Sequence, residues 1–197
     1  MRHTHIGHAP VFAQRLSFTG ETGWEIFVTP DFAEHVLEII LKAGQPLGLR
    51  LAGGEALNAL RIEKGFLHWG ADMAYTEAPY QLGLDFICKP GKTLPFIGQD
   101  ACLARKADPK GPCLRSVRLA DPDAILHHNE PVLRDGQIIG FVTSGAFCAM
   151  QKAAVGLCLV SPPDGAGGFE AVEDGPCSVM VEGREVPAEL RRKPFGA

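Results

Sequence analysis

The sequence contains no long hydrophobic run, no excess of positive charge and no closely spaced pair of cysteines. No apolar stretch reaches the roughly 20 residues that a membrane-spanning helix needs, so we expect no membrane association. The net charge of −4 and the isoelectric point near 6.0 argue against a general nucleic-acid binder, which usually carries a basic stripe. The first ten residues lack an apolar signal core, which argues against secretion through a standard signal peptide.

The six cysteines are spread along the chain, and no two of them have a CxxC spacing. Their low density and the missing signal favour reduced thiols in a reducing compartment, so we expect a cytoplasmic protein. Cys88 and Cys158 lie in apolar, strand-like runs and are expected to be small core residues. His3, His5 and His8 lie near an N terminus that is expected to fray. No histidine or cysteine cluster has ligand spacing, and the sequence therefore predicts no metal site.

The first part of the 197 residues combines strand-like and helical patterns around a Gly-rich turn. The predicted elements are strands at 11–18, 24–29 and 84–88 and helices at 31–44, 54–64 and 96–107. The first two strands flank the turn TGETG and form a β-hairpin. In the second helix, Ala56, Leu57 and Leu60 are expected to face the core.

The second part, from about residue 112, consists of short apolar strands separated by turn residues. An Asp-Gly pair within 134–137 predicts a tight hairpin, and residues 161–176 form a Pro/Gly-rich loop. Several short strands of this kind indicate a small barrel or sandwich. We therefore predict an α+β fold, with an α/β domain with antiparallel strands over residues 1–108. A small C-terminal antiparallel β-barrel follows over residues 112–197.

A carboxylate and a guanidinium on separate elements form the most informative candidate site. Glu25 lies on a strand just after the Gly-rich turn, and Arg61 lies near the end of the second helix. Together such groups can grip a flat ligand rich in hydrogen-bonding atoms. An exposed strand carboxylate and a surface helix are the simpler interpretations. However, Arg61 and Glu63 are two residues apart and do not face each other on a helix, so they form no simple intrahelical salt bridge.

Five sequence strings occur in a characteristic order: SFTGETGWEIFV, GGEALNALRIEKGFLHWGADM, APYQLGLDF, LPFIGQDACL and PVLRDGQIIGFVTSGAF. With them the chain resembles the tetrahydrofolate-binding aminomethyltransferase (glycine cleavage T-protein) family. The resemblance is closest to the folate-binding C-terminal region of dimethylglycine and sarcosine dehydrogenases. It covers residues 11–195 and is specific because several ordered motifs agree.

The resemblance implies a partial folate-binding domain followed by the barrel, and a tetrahydrofolate-dependent transfer of a one-carbon (aminomethyl) unit. The implied cofactor is tetrahydrofolate, and the implied substrate is a small N-methyl amine. FAD is expected only where a separate upstream domain carries it, so a flavin-bearing or N-terminal half is the expected partner. Glu25 corresponds to the family's pterin-binding carboxylate and Arg61 to the arginine of its LRxE helix. Trp24, His68 and Trp69 complete the predicted cofactor-binding residues.

The resemblance also implies that the hairpin carrying Thr143 and Ser144 leans over the ligand, although a plain barrel strand explains these residues equally well. No residue of the chain matches the family's catalytic aspartate, so the sequence predicts no catalytic residue. The chain resembles only the second half of such an enzyme region, as a truncated product, an excised fragment or a diverged standalone protein. We expect it to be catalytically incomplete alone.

One segment departs from the family pattern, which has a Thr-Pro followed by a glutamate where this chain has Ala78 and Gln81. The loss of that carboxylate keeps two other functions open. One is a non-catalytic folate-binding or subunit-assembly module. The other is a folate-dependent O- or S-demethylase of the same fold.

Overall fold

A computed structural model of the protein describes residues 1–89, 91–92, 94–107, 111–161 and 172–196. The chain divides into two compact units, Met1–Asn58 and Ala59–Ala197. The predicted domain boundary at 108–112 stays a prediction, and residues 108–110 within it lie outside the described residues. Residues 162–171 of the predicted Pro/Gly-rich loop also lie outside the described residues.

The first unit contains a three-stranded antiparallel sheet and a helix. The strands are β1 (Arg2–Ile6), β2 (Ala9–Gln14) and β3 (Glu25–Phe27), in the order β1-β2-β3. Helix α1 (Pro30–Gly44) begins with a proline, whose fixed φ suits the first helical turn. Its Val36 packs with Ala9 and Val11 of β2 in a small buried cluster. The amphipathic pattern of the sequence thus places the helix against one face of the sheet.

The N terminus does not fray, contrary to the sequence expectation. Residues 2–6 pair with β2 in register from Arg2↔Ala13 to Ile6↔Ala9. The ring of His3 lies 4.9 Å from the ring of Phe12, centroid to centroid. Pairing with β2 satisfies the backbone groups on one side of this segment, which sequence position alone does not reveal. Among the described residues, no group of three His, Cys, Asp or Glu side chains is arranged to hold a metal ion.

Helix α2 (Gly54–Glu63) packs mainly through its last turn. The prediction that Ala56, Leu57 and Leu60 face the core is wrong, because all three are exposed. Ile62 is fully buried and belongs to a cluster with residues of the barrel and the C terminus. This contact selects the face that carries Ile62, and the leucines of the preceding turns lie outside it.

The prediction of a strand at 84–88 is also wrong. Residues Asp85–Ile87 form a short 3-10 helix, in which the Ile87 amide donates to the Leu84 carbonyl and the Cys88 amide to that of Asp85. A short, mostly apolar run such as residues 84–88 fits a strand or a helical turn equally well by pattern alone. Cys88 is therefore half-buried rather than a core residue. Helix α3 (Gln99–Ala107) follows close to its predicted position.

Six strands form a closed antiparallel barrel in the order β4-β7-β6-β5-β8-β9. They are β4 (Cys113–Leu119), β5 (Pro131–Arg134), β6 (Gln137–Cys148), β7 (Ala153–Val160), β8 (Gly175–Val181) and β9 (Arg184–Arg191). Cys158 is fully buried inside the barrel, as expected. Asp135 (φ 52°) and Gly136 (φ 75°) both have positive φ, as the tight β5–β6 hairpin turn requires.

The predicted α+β fold with a C-terminal antiparallel barrel is therefore confirmed. Each short strand predicted in the second part lies within a strand of the barrel, to within one residue at its ends. None of the helices in the described ranges has both the length and the apolar character needed to cross a membrane.

Candidate functional site

The end of helix α2 leads into a compact loop, residues 65–73, which we call the aromatic loop. The Gly65 amide donates to the Ile62 carbonyl and the Phe66 amide to the Arg61 carbonyl, at 3.0 and 2.8 Å. This pair of bonds is a Schellman cap, and Gly65 supplies the left-handed conformation it needs (φ 74°). The cap turns the chain back towards the helix, so the aromatic loop begins beside the Arg61 side chain.

Arg61 is buried, with only 2% of its surface exposed. Its guanidinium donates to the Asp72 carboxylate, to the Phe66 carbonyl oxygen at 3.2 Å and to the Ser144 hydroxyl oxygen at 2.7 Å. These acceptors come from both ends of the aromatic loop and from strand β6. The guanidinium therefore ties the loop to the barrel wall.

Asp72 is fully buried, and its carboxylate accepts hydrogen bonds from three directions. One oxygen accepts from Arg61 and from the His68 backbone amide at 2.9 Å, and the other accepts from the Thr143 hydroxyl at 2.6 Å. A buried charge is tolerated only when it is paired and hydrogen-bonded, and these donors meet that requirement. We call Arg61, Asp72, Thr143 and Ser144 the buried clamp.

Thr143 and Ser144 both reach the buried clamp because β6 is irregular at this point. The pairing of β6 with β7 shifts register between Val142 and Ser144. Neighbouring residues of a regular strand point to opposite faces of the sheet. A bulge alters that alternation and redirects a side chain, so two consecutive hydroxyls serve the same ion pair.

His68 and Trp69 lie at the outer side of the aromatic loop. Both are exposed, and 63% of the surface of Trp69 is accessible. Around them the Gly70 amide donates to the Met73 carbonyl at 2.8 Å, and the Asp72 amide donates to that of His68 at 2.9 Å. The loop thus holds a large aromatic side chain outward on a hydrogen-bonded backbone.

Glu25 and Trp24 lie in the first compact unit, on or next to strand β3. Glu25 is exposed, and one of its carboxylate oxygens accepts a hydrogen bond from the Gln14 side-chain amide at 3.1 Å. Gln14 and Glu25 are direct partners in the β2–β3 register. Trp24 is 62% exposed. Both side chains are accessible to a ligand, and the cofactor-binding role of all five predicted residues stays a prediction.

Sequence reasoning missed Asp72, the central residue of the buried clamp. A signal was present: Arg61 does not face Glu63 on the helix, so a carboxylate from another element was to be expected, and Asp72 follows in the same segment. The Thr143 and Ser144 contacts had no such signal, because these residues lie 71 and 83 positions from their partners. Only the fold brings them together.

Gln81 is buried in a short 3-10 helix, Pro79–Leu82. Its side-chain oxygen accepts from the Ala78 amide at 2.8 Å, and its side-chain nitrogen donates to the Pro112 carbonyl at 2.8 Å. This side chain closes its own turn and ties it to the start of the barrel. The departure from the family pattern at Gln81 therefore has a structural role.

Two family descriptions match this chain. The GCVT N-terminal domain matches residues 1–92, and the glycine cleavage T-protein C-terminal barrel domain matches residues 113–196. Among solved structures, aminomethyltransferase T of the glycine cleavage system from Bartonella henselae superposes with a TM-score of 0.78 at 22% identity. The match covers 94% of this chain and 49% of that one, and it shows the fold.

Curated relatives are considerably longer than this chain. It is 40% identical over 202 residues to 4-methylaminobutanoate oxidase (formaldehyde-forming) of Paenarthrobacter nicotinovorans, which covers 98% of this chain and 23% of the relative. It is 38% identical over 149 residues to mitochondrial dimethylglycine dehydrogenase of Rattus norvegicus, which covers 75% of this chain and 17% of the relative. The chain therefore spans less than a quarter of the length of these two relatives.

Proposed function

This chain belongs to the glycine cleavage T-protein (aminomethyltransferase) family, and from that premise we propose that it forms part of a tetrahydrofolate site. The site serves an enzyme that transfers a one-carbon (aminomethyl) unit, of the aminomethyltransferase or dimethylglycine/sarcosine dehydrogenase kind. The ordered match to both family domains, over residues 1–92 and 113–196, carries this proposal. The family is folate-dependent in general.

Glu25 and Trp24 in the first unit, and separately Trp69 in the second, carry side chains of the kind that contact a flat, nitrogen-rich ring. A carboxylate accepts two hydrogen bonds side by side from an amino group and a ring N–H. The Gln14 amide orients the Glu25 carboxylate from one side. Exposed indole faces provide stacking surfaces for a ring of this type. These features support a pterin contact.

Arg61 supports the aromatic loop that carries Trp69. Because its guanidinium is buried among Asp72, Phe66 and Ser144, it orients the aromatic loop rather than presenting itself on the surface. When bound, tetrahydrofolate supplies the nitrogen that exchanges the one-carbon unit. The contribution of this chain is to bind, to orient and to exclude water, which are large effects in transfer reactions.

We assign the acid–base step to another part of the enzyme. Proton transfer needs a positioned group, and no residue here matches the family's catalytic aspartate. A flavin-bearing region or an N-terminal half is the proposed partner, with a small N-methyl amine as the substrate. FAD belongs to that partner in this proposal. All six cysteines are free thiols, which fits the proposed cytoplasmic location.

The demethylase alternative rests on the lost carboxylate at Gln81, and it gains no support from the structure. The Gln81 amide caps Ala78 and bonds to Pro112, so the substitution has a structural explanation. A non-catalytic folate-binding module is the second candidate. It predicts folate binding without transfer, even in the presence of the proposed partner region.

Titration with tetrahydrofolate under anaerobic conditions, followed by tryptophan fluorescence, tests the proposal. We expect saturable binding that perturbs the emission of Trp24 and Trp69. Glu25→Gln should weaken binding by about 1–3 kcal/mol, the cost of removing one partner from a buried polar contact. Glu38→Gln, an exposed carboxylate on α1, is the matched control and should leave affinity unchanged. Absence of binding at millimolar folate would exclude the proposed site in this chain.

A further inference from the structure

We propose that Asp72 is a positioning residue that presets Trp69 for its ligand. Acting through Arg61 and the His68 amide, its carboxylate holds the aromatic loop against strand β6. The part of the inference that concerns the ligand rests on the proposed folate function. The part that concerns the loop stands on the geometry of the buried clamp alone.

The Asp72 carboxylate joins three elements at one point. Its donors are a side chain of helix α2, a backbone amide of the aromatic loop and a hydroxyl of strand β6. The side chains of Asp72 and Arg61 are 0% and 3% exposed. The helix end, the loop and the barrel wall thus share one small polar cluster sealed from water.

Burial makes this cluster stable only as a complete set. An ion pair in the interior is stabilised by its mutual attraction and by the extra hydrogen bonds to it, whereas removing one partner leaves an uncompensated charge. Asp72 also accepts the bond from the His68 amide, so loss of the carboxylate frees the backbone of the residue next to Trp69. The aromatic loop then loses the bonds that Asp72 accepts from Arg61 and Thr143 and its internal bond from the His68 amide.

Hydrogen bonds fix the backbone on either side of Trp69. This residue lies between His68 and Gly70, whose amides bond to the Asp72 carboxylate and the Met73 carbonyl. An isolated parallel β-bridge also pairs the backbones of Trp69 and Met73. A rigid backbone that holds a large aromatic side chain outward lowers the ordering cost of binding. The chemistry that matches this platform is a flat heteroaromatic ring, which the proposed function identifies as that of a reduced folate.

The first test needs no ligand. A Trp24→Phe background leaves Trp69 as the sole tryptophan, so its fluorescence anisotropy reports on the aromatic loop. In that background Asp72→Asn should lower the anisotropy, and amide hydrogen exchange at His68 should accelerate by about tenfold or more. Asp85→Asn, which removes the exposed ion pair to Lys106, is the matched control and should change neither signal.

Two further variants separate a local role from general destabilisation. Thr143→Val keeps the charge pair and removes only one hydrogen-bond donor to Asp72. It should therefore increase the mobility of Trp69 less than Asp72→Asn does. If Asp72→Asn fails to fold, Thr143→Val replaces it in the test. Combining Asp72→Asn with Arg61→Gln should give little additional loss of anisotropy, because the two residues act as one unit. Additive losses would contradict that coupling and overturn the proposed route through Arg61.

The second test measures affinity for tetrahydrofolate. A folded Asp72→Asn protein should bind about tenfold more weakly, although the buried carboxylate cannot touch the ligand. Unchanged Trp69 anisotropy and His68 exchange in that protein would overturn the proposal. A mobile Trp69 with unchanged affinity would overturn its presetting role. If the wild-type protein binds no folate, the proposed function fails, and the anisotropy and exchange data still decide whether Asp72 positions the loop.

Discussion

Arg61 and Asp72 illustrate how a charge is accommodated inside this protein. Neither side chain is more than 3% exposed, and each hydrogen-bonds both to the other and to neighbouring groups. Such pairs add little net stability compared with an apolar contact, but the loss of one partner leaves a costly unpaired charge, which favours the arrangement that keeps both partners together. At the scale of the residue, the buried clamp is best understood as a device for orientation. Whether a buried polar group is tolerated depends on the hydrogen-bonding groups around it.

The buried thiols provide a second test at this scale. Burial raises the pKa of the Cys148 thiol to about 12 and that of Cys177 to about 11, from an ordinary value of 9.0. The folded protein therefore keeps these protons while the unfolded chain releases them above pH 9.0. Their contribution to stability is complete below pH 9.0 and is lost as the pH rises towards the folded values.

We expect the free energy of unfolding to fall between pH 9 and pH 11, as measured by urea denaturation. Cys148→Ala should make this fall shallower by up to about 1.4 kcal/mol per pH unit, the value for one proton. The same substitution also opens a small cavity, so the comparison is between slopes and not between absolute stabilities. Identical slopes in the two proteins would contradict the raised pKa of Cys148.

At the scale of the element, the end of helix α2 decides where the aromatic loop goes. Gly65 has a φ of 74°, and a Cβ at this position would lie 2.4 Å from a side-chain carbon of Pro194. Backbone conformation and close packing both require glycine here. The Schellman cap and the buried clamp therefore depend on the same turn.

Gly65→Ala should lower the free energy of unfolding by more than about 1 kcal/mol, because alanine is strained at positive φ and also meets Pro194. Gly54→Ala is the matched control, since a Cβ at Gly54 meets nothing within 4 Å. It should be neutral or slightly stabilising, as alanine favours helix more than glycine does. Thermal unfolding of the two variants provides the measurement, and equal losses would contradict the role of the Gly65 turn.

At the scale of the whole molecule, the two compact units differ in how their sheets are completed. The barrel closes on itself, so its strands pair on both sides. The sheet of the first unit runs β1-β2-β3 and has β1 and β3 at its edges. Its buried cluster consists of Ala9, Val11 and Val36 with partly buried neighbours, whereas the barrel encloses a much larger apolar core.

Native-state hydrogen exchange should therefore show slower exchange in the barrel strands than in β1–β3. Opening free energies rise with buried apolar contact and with complete strand pairing. We expect amides of β4 and β7 to be the most protected, since these strands are almost wholly buried as well as paired on both sides, and those of the exposed strand β3 to be among the least. Equal protection of the two sheets would contradict this difference.

The local elements of this protein were predictable to different degrees. The hairpin turn at Asp135 and Gly136 was predicted correctly, because an Asp-Gly pair selects its own backbone conformation. The strand at residues 2–6 was missed, since a polar, histidine-rich segment becomes a strand only when β2 is beside it. The run at 84–88 was ambiguous, because five residues are too few to separate periods of 2 and 3.6.

By itself, the sequence determined the α+β fold class, the barrel strands and, through its ordered motifs, the family. The fold class and the strands follow from patterns that repeat over a few residues, and the family follows from short sequence motifs. The tertiary structure decided that Arg61 is buried and that Asp72 is its partner. It also decided that the β6 bulge brings Thr143 and Ser144 to the same ion pair. The physical reason is that a buried charge is stabilised by donors from distant segments, and only the folded chain determines which donors those are.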